Sequence, residues 1–259
     1  MNRAPAILRR AVGGIRKRWS RHRYKAQGPS IRKHWQDSLP GEVEFWRRFI
    51  DAHGPWSDEL TRRLDPNEPL ESWVRSHLDA SDGAPVEILD VGAGPLTSLG
   101  KTWPGRQVRI TAIDPLADEY NALLREKGVT PPVSVLPGEA EDLLSLFGAE
   151  RFDLVHFNNA LDHCHDPLIA IQQALAVVKS GGHVLLHHLR READNRGFTG
   201  MHQWNFDVRN GHFIISDAWK ETDVAVALGH VAGVEVSLDA DKEKSHHVWV
   251  RAVLRKLSR

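Results

Sequence analysis

The chain has 259 residues, 41% hydrophobic and 26% charged, enough for one packed α/β domain with an appendage and too apolar for a disordered one. Its 34 Lys+Arg and 34 Asp+Glu cancel, yet residues 1–36 hold 11 bases and no acid, leaving 23 bases against 34 acids in an acidic body. No apolar run approaches the ~18 residues of a membrane span, no apolar h-region marks a secretory signal, and Cys164 stands alone. An intrachain disulfide is thereby excluded, and a reducing, cytoplasmic compartment is expected.

In the basic tail, residues 1–36, Leu8, Val12, Ile15 and Trp19 fall at helical spacing among Arg9, Arg10, Arg16, Lys17, Arg18, Arg21 and Arg23. The pattern describes a cationic amphipathic helix suited to peripheral association with an anionic membrane. Gly13-Gly14 weakens that helix by ~1 kcal/mol per glycine, and a solvated tail is the competing reading. Nucleic acid is disfavoured as a partner, because no aromatic-and-basic groove accompanies the charge. A transit peptide fits poorly with so little serine.

A helical cap is expected over 37–84. Val43, Trp46, Phe49, Ile50 and His53 share a helical face that Gly54-Pro55 ends. A second helix runs from Ser57 to Leu64, stopped by Asp65-Pro66, and a third carries Leu70, Trp73, Val74 and Leu78. Five of the nine tryptophans precede position 75, either as packing against a sheet or as a lid over an acceptor.

The body, 85–259, opens with Val86-Glu87-Ile88-Leu89-Asp90-Val91, a continuous apolar run as in a buried parallel strand. Gly92 and Gly94 follow, allowing a tight turn with no side chain between backbone and ligand. Leu96 to Trp103 reads as a first crossover helix whose N-terminus faces that turn. A nicotinamide fingerprint wants glycine where Thr97 stands. Asp90, just before the glycines, suits a cofactor bearing an ammonium better than a pyrophosphate.

The second strand, Val108 to Ile113, ends in Asp114-Pro115, where an acid 20 residues past Gly94 can accept both ribose hydroxyls. Helix Glu119–Glu126, strand Pro132–Leu136 and Gly138-Glu139-Ala140-Glu141 come next. The fourth strand, Phe152 to Phe157, delivers Asn158-Asn159-Ala160-Leu161-Asp162-His163. Asp166 caps a helix over 167–179 with Pro167 at its first position, and Ser180-Gly181-Gly182 closes it. His183–His188, Val234–Leu238 and His247–Leu254 complete seven strands.

Asp90-Val91-Gly92-Ala93-Gly94, with Val178-Lys179-Ser180-Gly181-Gly182 behind it, resembles the class I S-adenosylmethionine-dependent methyltransferases. Ser180 departs from the family's usual proline. The likeness implies a Rossmann-like α/β fold, a seven-stranded, mostly parallel sheet with an N-terminal helical cap. It also implies S-adenosylmethionine as cofactor, held by Asp90, Gly92, Ala93, Gly94, Asp114, Pro115, Asn158 and Asn159. Glu139 and the backbone of Ala140 would meet the adenine.

On the acceptor side, Asp162, His163, His165, His187, His188 and Glu192 crowd the strand ends. A hydroxyl acceptor needs a base or a metal, and one of His163 and His188 is the expected general base, against a purely structural role for each. Mg²⁺ at Asp162 is a further expectation from related enzymes that bind it with acids at these two strands, although the fifth strand offers histidines. An insertion over about 190–230 contains His202-Gln203-Trp204-Asn205-Phe206, read either as an acceptor site (His202, Trp204 and Asn205 toward a carbohydrate) or as an aromatic anchor.

That segment, with Asn159-Ala160-Leu161-Asp162-His163, resembles bacterial methyltransferases of polysaccharide and glycoconjugate assembly. O-methylation of a saccharide or other small hydroxylated acceptor is therefore expected. Lipid, quinone or RNA acceptors are the alternatives within the chemistry, and a non-catalytic nucleoside-binding module that recruits partners is the alternative outside it. Oligomeric state is not legible in the sequence.

Overall fold

The computed structural model describes residues 31–51, 57–79, 83–240 and 248–258. The first helix, α1 (Ile31–Asp51), turns Trp35, Phe49 and Ile50 inward. It begins inside the basic segment, so the expected boundary at 36/37 falls in a continuous helix. Residues 1–30 and the Gly54-Pro55 break lie outside the described residues. Two short helices follow: α2 (Ser57–Leu64), with the bounds expected, and α3 (Ser72–Arg75), one turn where a longer helix was expected.

The body opens with β1 (Val86–Val91) and β2 (Val108–Asp114) and then alternates helix and strand: α4 (Ala117–Glu126), β3 (Val135–Pro137), α5 (Leu143–Phe147), β4 (Phe152–Asn158), α6 (Pro167–Val177) and β5 (Val178–Leu189). After α7 (Glu192–Arg196), the insertion forms β6 (Asn205–Arg209), β7 (His212–Ser216) and β8 (Glu221–Asp223), then α8 (Val224–Leu228). The chain ends on β9 (Ala232–Ala240) and β10 (Val248–Lys256).

Seven strands form one sheet in the order β3-β2-β1-β4-β5-β10-β9, and β6-β7-β8 form a separate antiparallel sheet. β1 to β5 run parallel, and β10 is antiparallel to both of its neighbours. This is the Rossmann-like architecture expected. One face, with Ile88, Leu154 and Leu185, packs on Leu70, Val74 and Leu78. The other, with Leu89, Val155, Phe157, Val184 and Leu186, packs on Ala170, Ile171 and Ala174 of α6 and on Phe206, Phe213 and Ile215 of the small sheet. Because both faces are covered, the strands read as apolar runs rather than alternations.

Asp166 caps α6 by accepting from Leu168 N and Ile169 N at 3.1 Å each, with Pro167 in the first turn. The helix stops at Val177, before Ser180-Gly181-Gly182. Val178 is already extended, and those glycines lie in β5, where the register against β4 shifts.

The largest departure is at Leu96–Trp103, which is irregular rather than helical. Side chains take the hydrogen bonds that a helix would have made. Thr97 Oγ1 accepts from Leu99 N (3.1 Å), while Arg62 and Arg63 donate to the carbonyls of Ser98 (3.0 Å) and Leu96 (2.7 Å). Gly100 lies so close to the Pro69 carbonyl that a Cβ there would sit 2.0 Å from it. The cap segment therefore holds this stretch in place of a crossover helix.

Candidate active site

Parallel strands place their C-terminal ends along one edge, so Asp90, Asp114, Glu139, Asn158 and His188 share a rim by topology. At β1 the turn is made by Gly92 (φ 68°) and Gly94 (φ 63°), a conformation that an L-residue adopts only with strain. A Cβ on Gly92 would lie 2.3 Å from that of Ala160, and one on Gly94 would lie 2.5 Å from the Trp46 indole. The amides of Gly92 and Ala93 donate to Ile113 O (2.9 and 3.1 Å), and that of Gly94 to Asp114 Oδ2 (3.0 Å). The cradle thus offers close backbone approach rather than free donors.

Asp90 is buried, and both of its oxygens are engaged. Oδ2 accepts from Thr97 Oγ1 at 2.6 Å, and Oδ1 meets His156 Nδ1 at 2.8 Å. Through these bonds it anchors the loop to β4. Thr97, which fills the place of a third glycine, is half of that anchor, and His156 is the other half. Neither was recognised in the sequence, because strand periodicity alone marks His156 as one more core position.

Asp114 is also buried, with Oδ1 accepting from Leu116 N at 2.9 Å. Burial pushes its carboxyl up to about 6, against the pull of its two backbone donors. Trp46 lies over this corner, edge-on to Tyr120 at 6.2 Å, and donates to Glu42 at 3.0 Å. Pro115 is exposed beside it, and Glu139 and Ala140 follow β3 at the head of a 3-10 turn. Beyond them, Glu141 accepts from His165 N (2.9 Å) and Asp166 N (3.0 Å), and Trp35 of α1 stands edge-on to His165 at 6.1 Å. The lid reading of the cap therefore rests on α1, which lies against the cradle as well as the core.

Asn158 donates to Ser98 Oγ (3.1 Å), while Asn159, at φ 50°, accepts from Leu189 N (3.2 Å) and holds β4 to β5. The 3-10 turn Leu161–His163 then brings Asp162 and His163 against the insertion. Asp162 is 1% exposed, and its Oδ2 lies 2.7 Å from His202 Nδ1 and 3.6 Å from His163 Nε2. The two imidazoles meet at 3.3 Å, His163 Nε2 to His202 Nδ1. Asp162 is held low by His163 and His202 despite its burial, and His202 is raised by Asp162. His188 lies alongside under Phe206, its ring nitrogens buried without a hydrogen-bond partner, and burial pushes it down to about 3.

A methyltransferase domain family model matches residues 47–222, more than half of the chain. The chain belongs to this methyltransferase family. Solved structures similar to it include an S-adenosylmethionine-dependent methyltransferase from Listeria monocytogenes, 14% identical over 72% of this chain and 97% of that one, with a TM-score of 0.46. Another is the N-methyltransferase NodS from Bradyrhizobium japonicum with S-adenosylhomocysteine, 19% identical over 84% and 99%, with a TM-score of 0.48. A third is the 1,6-didemethyltoxoflavin-N1-methyltransferase from Burkholderia thailandensis, 17% identical over 86% and 90%, with a TM-score of 0.46. No curated protein matches the chain.

In this methyltransferase, two residues expected at the acceptor are buried in anchoring contacts. Trp204 is 3% exposed, donates to Cys164 O at 2.9 Å, and has the Lys220 ammonium 5.8 Å from its ring centre. Asn205 is equally buried and accepts from Asp194 N at 2.8 Å. Both anchor the insertion to the body and present no face to a sugar. Glu192, buried and bonded to Arg196 at 2.7 Å, is structural as well. His202 is placed beside Asp162, a partner that sequence spacing could not name.

The expectation of Mg²⁺ at Asp162 does not fit the donors present. Mg²⁺ prefers an octahedron of oxygens, and this cluster offers one carboxylate and two imidazoles. Among the described residues, no helix is long and apolar enough to cross a membrane.

Proposed function

We propose that the protein transfers the methyl group of S-adenosylmethionine to a hydroxyl oxygen of a saccharide or other small hydroxylated acceptor. Gly92-Ala93-Gly94 would take the amino-acid end of the cofactor close to the backbone, with Asn158 and Asn159 bounding that side. Asp114 would accept the ribose hydroxyls, and Glu139 with the Ala140 amide would meet the adenine. The observation that carries the acceptor class is the meeting of Asp162, His163 and His202 within 3.6 Å of one another at the rim of the sheet.

Methyl transfer from a sulfonium is an in-line displacement. The acceptor oxygen forms a bond to the methyl carbon as the S–CH₃ bond breaks, and its electron pair returns to sulfur as a neutral thioether. Positive charge is consumed, so a largely dry site suffices, and the protein mainly supplies alignment. An amine or a stabilised carbanion needs little more. A hydroxyl does, because its proton must leave as the oxygen attacks. The Asp162–His163–His202 cluster is a place for that proton to go, with His188 buried and neutral behind it.

Residues 1–36, with 11 bases and no acid, would hold the enzyme beside an anionic membrane carrying lipid-linked acceptors. The test is transfer of labelled methyl from S-adenosylmethionine into glycan, lipid and RNA fractions. The expected result is label in the glycan fraction as a base-stable ether, with removal of residues 1–30 lowering transfer to membrane-borne glycan alone. Label confined to RNA or simple lipid would replace the acceptor class. Cofactor binding without transfer to any fraction would leave only a nucleoside-binding module.

A further inference from the structure

We infer that Asp162, His163 and His202 bind one divalent first-row transition-metal ion of the zinc class. Asp162 and His163 come from the turn after β4, and His202 from the loop before β6, so the insertion completes the set. Their donor atoms form a triangle with edges of 2.7 Å (Asp162 Oδ2 to His202 Nδ1), 3.3 Å (His202 Nδ1 to His163 Nε2) and 3.6 Å (His163 Nε2 to Asp162 Oδ2). A tetrahedral zinc with bonds of about 2.0–2.1 Å spaces its ligands roughly 3.3–3.4 Å apart. Two edges already match, and the third opens when an ion replaces the proton between Asp162 and His202.

Two imidazole nitrogens that face each other cannot both carry a hydrogen on that side. At least one imidazole lone pair therefore converges with a carboxylate oxygen on one point, the arrangement a cation satisfies and a lone proton satisfies only in part. An independent observation points the same way. Asp162 Oδ1, on a side chain 1% exposed, has no hydrogen-bond partner, and neither ring nitrogen of adjacent His188 has one. A buried carboxylate that is only half satisfied is costly, and an ion on the same group supplies the missing counter-charge. His163 and His202 keep about a fifth of their side chains exposed (18% and 22%), which leaves a path for the ion from solvent. Two imidazoles and one carboxylate select a borderline ion over Mg²⁺ or Ca²⁺.

Three protein ligands leave a fourth position open. The use of that position rests on the acceptor reading above, whereas the binding of the ion does not. With the ion bound, the three ligands no longer take the acceptor's proton themselves: a hydroxyl held at that position would have a lowered pKa, lose its proton to solvent water, and attack the methyl carbon as the S–CH₃ bond breaks toward sulfur.

The experiment uses the untagged full-length chain, stripped with EDTA and titrated with Zn²⁺ by calorimetry and with Co²⁺ by visible absorption. The expected result is one equivalent per chain, with the intense visible bands of tetrahedral Co²⁺. His202→Gln and His163→Gln should each lose these bands and weaken Zn²⁺ binding at least tenfold while retaining S-adenosylhomocysteine binding. Weak sub-stoichiometric binding to the wild type, or binding unchanged in both variants, overturns the site. Methyl transfer by the stripped protein at the full rate, with no ion bound, overturns its use and leaves the O-methylation reading standing. Stoichiometric binding with no hydroxyl methylated by the loaded protein does the reverse.

Discussion

The two halves of the rim are built on different principles. On the cofactor half, the groups held are backbone amides at neighbouring strand ends: Gly92 and Ala93 N donate to Ile113 O, and Gly94 and Leu116 N to the Asp114 carboxylate. On the acceptor half they are side chains brought together from the β4 turn and from an insertion 40 residues later, as with Asp162 and His202. The first half is defined by conformation, so substitutions there should act on folding and cofactor affinity together. The second is defined by donor chemistry, so substitutions there should change what is bound with smaller cost to the fold.

The largest expected effect that tests this contrast is at Asp90. Asp90→Ala should destabilise the protein by about 3–5 kcal/mol, because it removes the buried acceptor shared by Thr97 Oγ1 and His156 Nδ1 and leaves both without it. Urea unfolding measures it. A loss below about 1 kcal/mol would mean that the carboxylate is not the anchor of the loop. Gly92→Ala comes next, at about 2–4 kcal/mol, from a left-handed residue that gains a Cβ and from its contact 2.3 Å from Ala160. Pairing it with Ala160→Gly should recover the steric part and leave the conformational one. No recovery would show that Ala160 is not what confines the turn.

Asp114 sharpens the comparison through pH. Burial raises its carboxyl to about 6, and Glu42 pushes the same way while His163 opposes it. For stability, the raised value makes the ionised form a cost that appears as pH climbs above the unfolded value near 3.8 and is complete above about 6. For ligand binding the sign reverses, since two ribose hydroxyls donate best to a carboxylate. Affinity for S-adenosylhomocysteine should fall as pH drops through about 6, by up to tenfold per unit below it. Asp114→Asn should cost about 10–100-fold at pH 7 and flatten that dependence. Calorimetry from pH 5 to 7.5 reads both, and an unchanged slope in the variant would assign the titration to another group.

The same contrast explains what the sequence could convey. The glycines, the strand-end acid Asp114, and the Asp166-Pro167 helix start are local demands on backbone geometry. Residue type at one position answers each, so they could be read one by one. The strand at Val178–Leu189 and the irregular path at Leu96–Trp103 could not. There the deciding partners are Phe152 across the sheet and Arg62, Arg63 and Pro69 in the cap, all distant in sequence. The His156–Asp90 bond spans 66 residues and depends on the register of β4 against β1. His202 was legible as a polar residue in an insertion, but its link to Asp162 depends on how that insertion folds back over the rim.

The smallest expected effect decides between two uses of one indole. Trp204→Phe keeps most of the buried ring and removes the donor to Cys164 O, so it should cost only about 1–2 kcal/mol of stability. The anchor role predicts that KM for the acceptor stays within about twofold, because the ring is 3% exposed with Lys220 over it and meets no substrate. A stacking platform predicts the opposite pattern: little change in stability, since the ring face would remain, and a shift in KM alone. Measuring Tm and KM on the same variant therefore separates a residue that holds the insertion in place from one that touches the sugar. An effect on KM without one on Tm would return Trp204 to the acceptor site and would require the insertion to open during turnover.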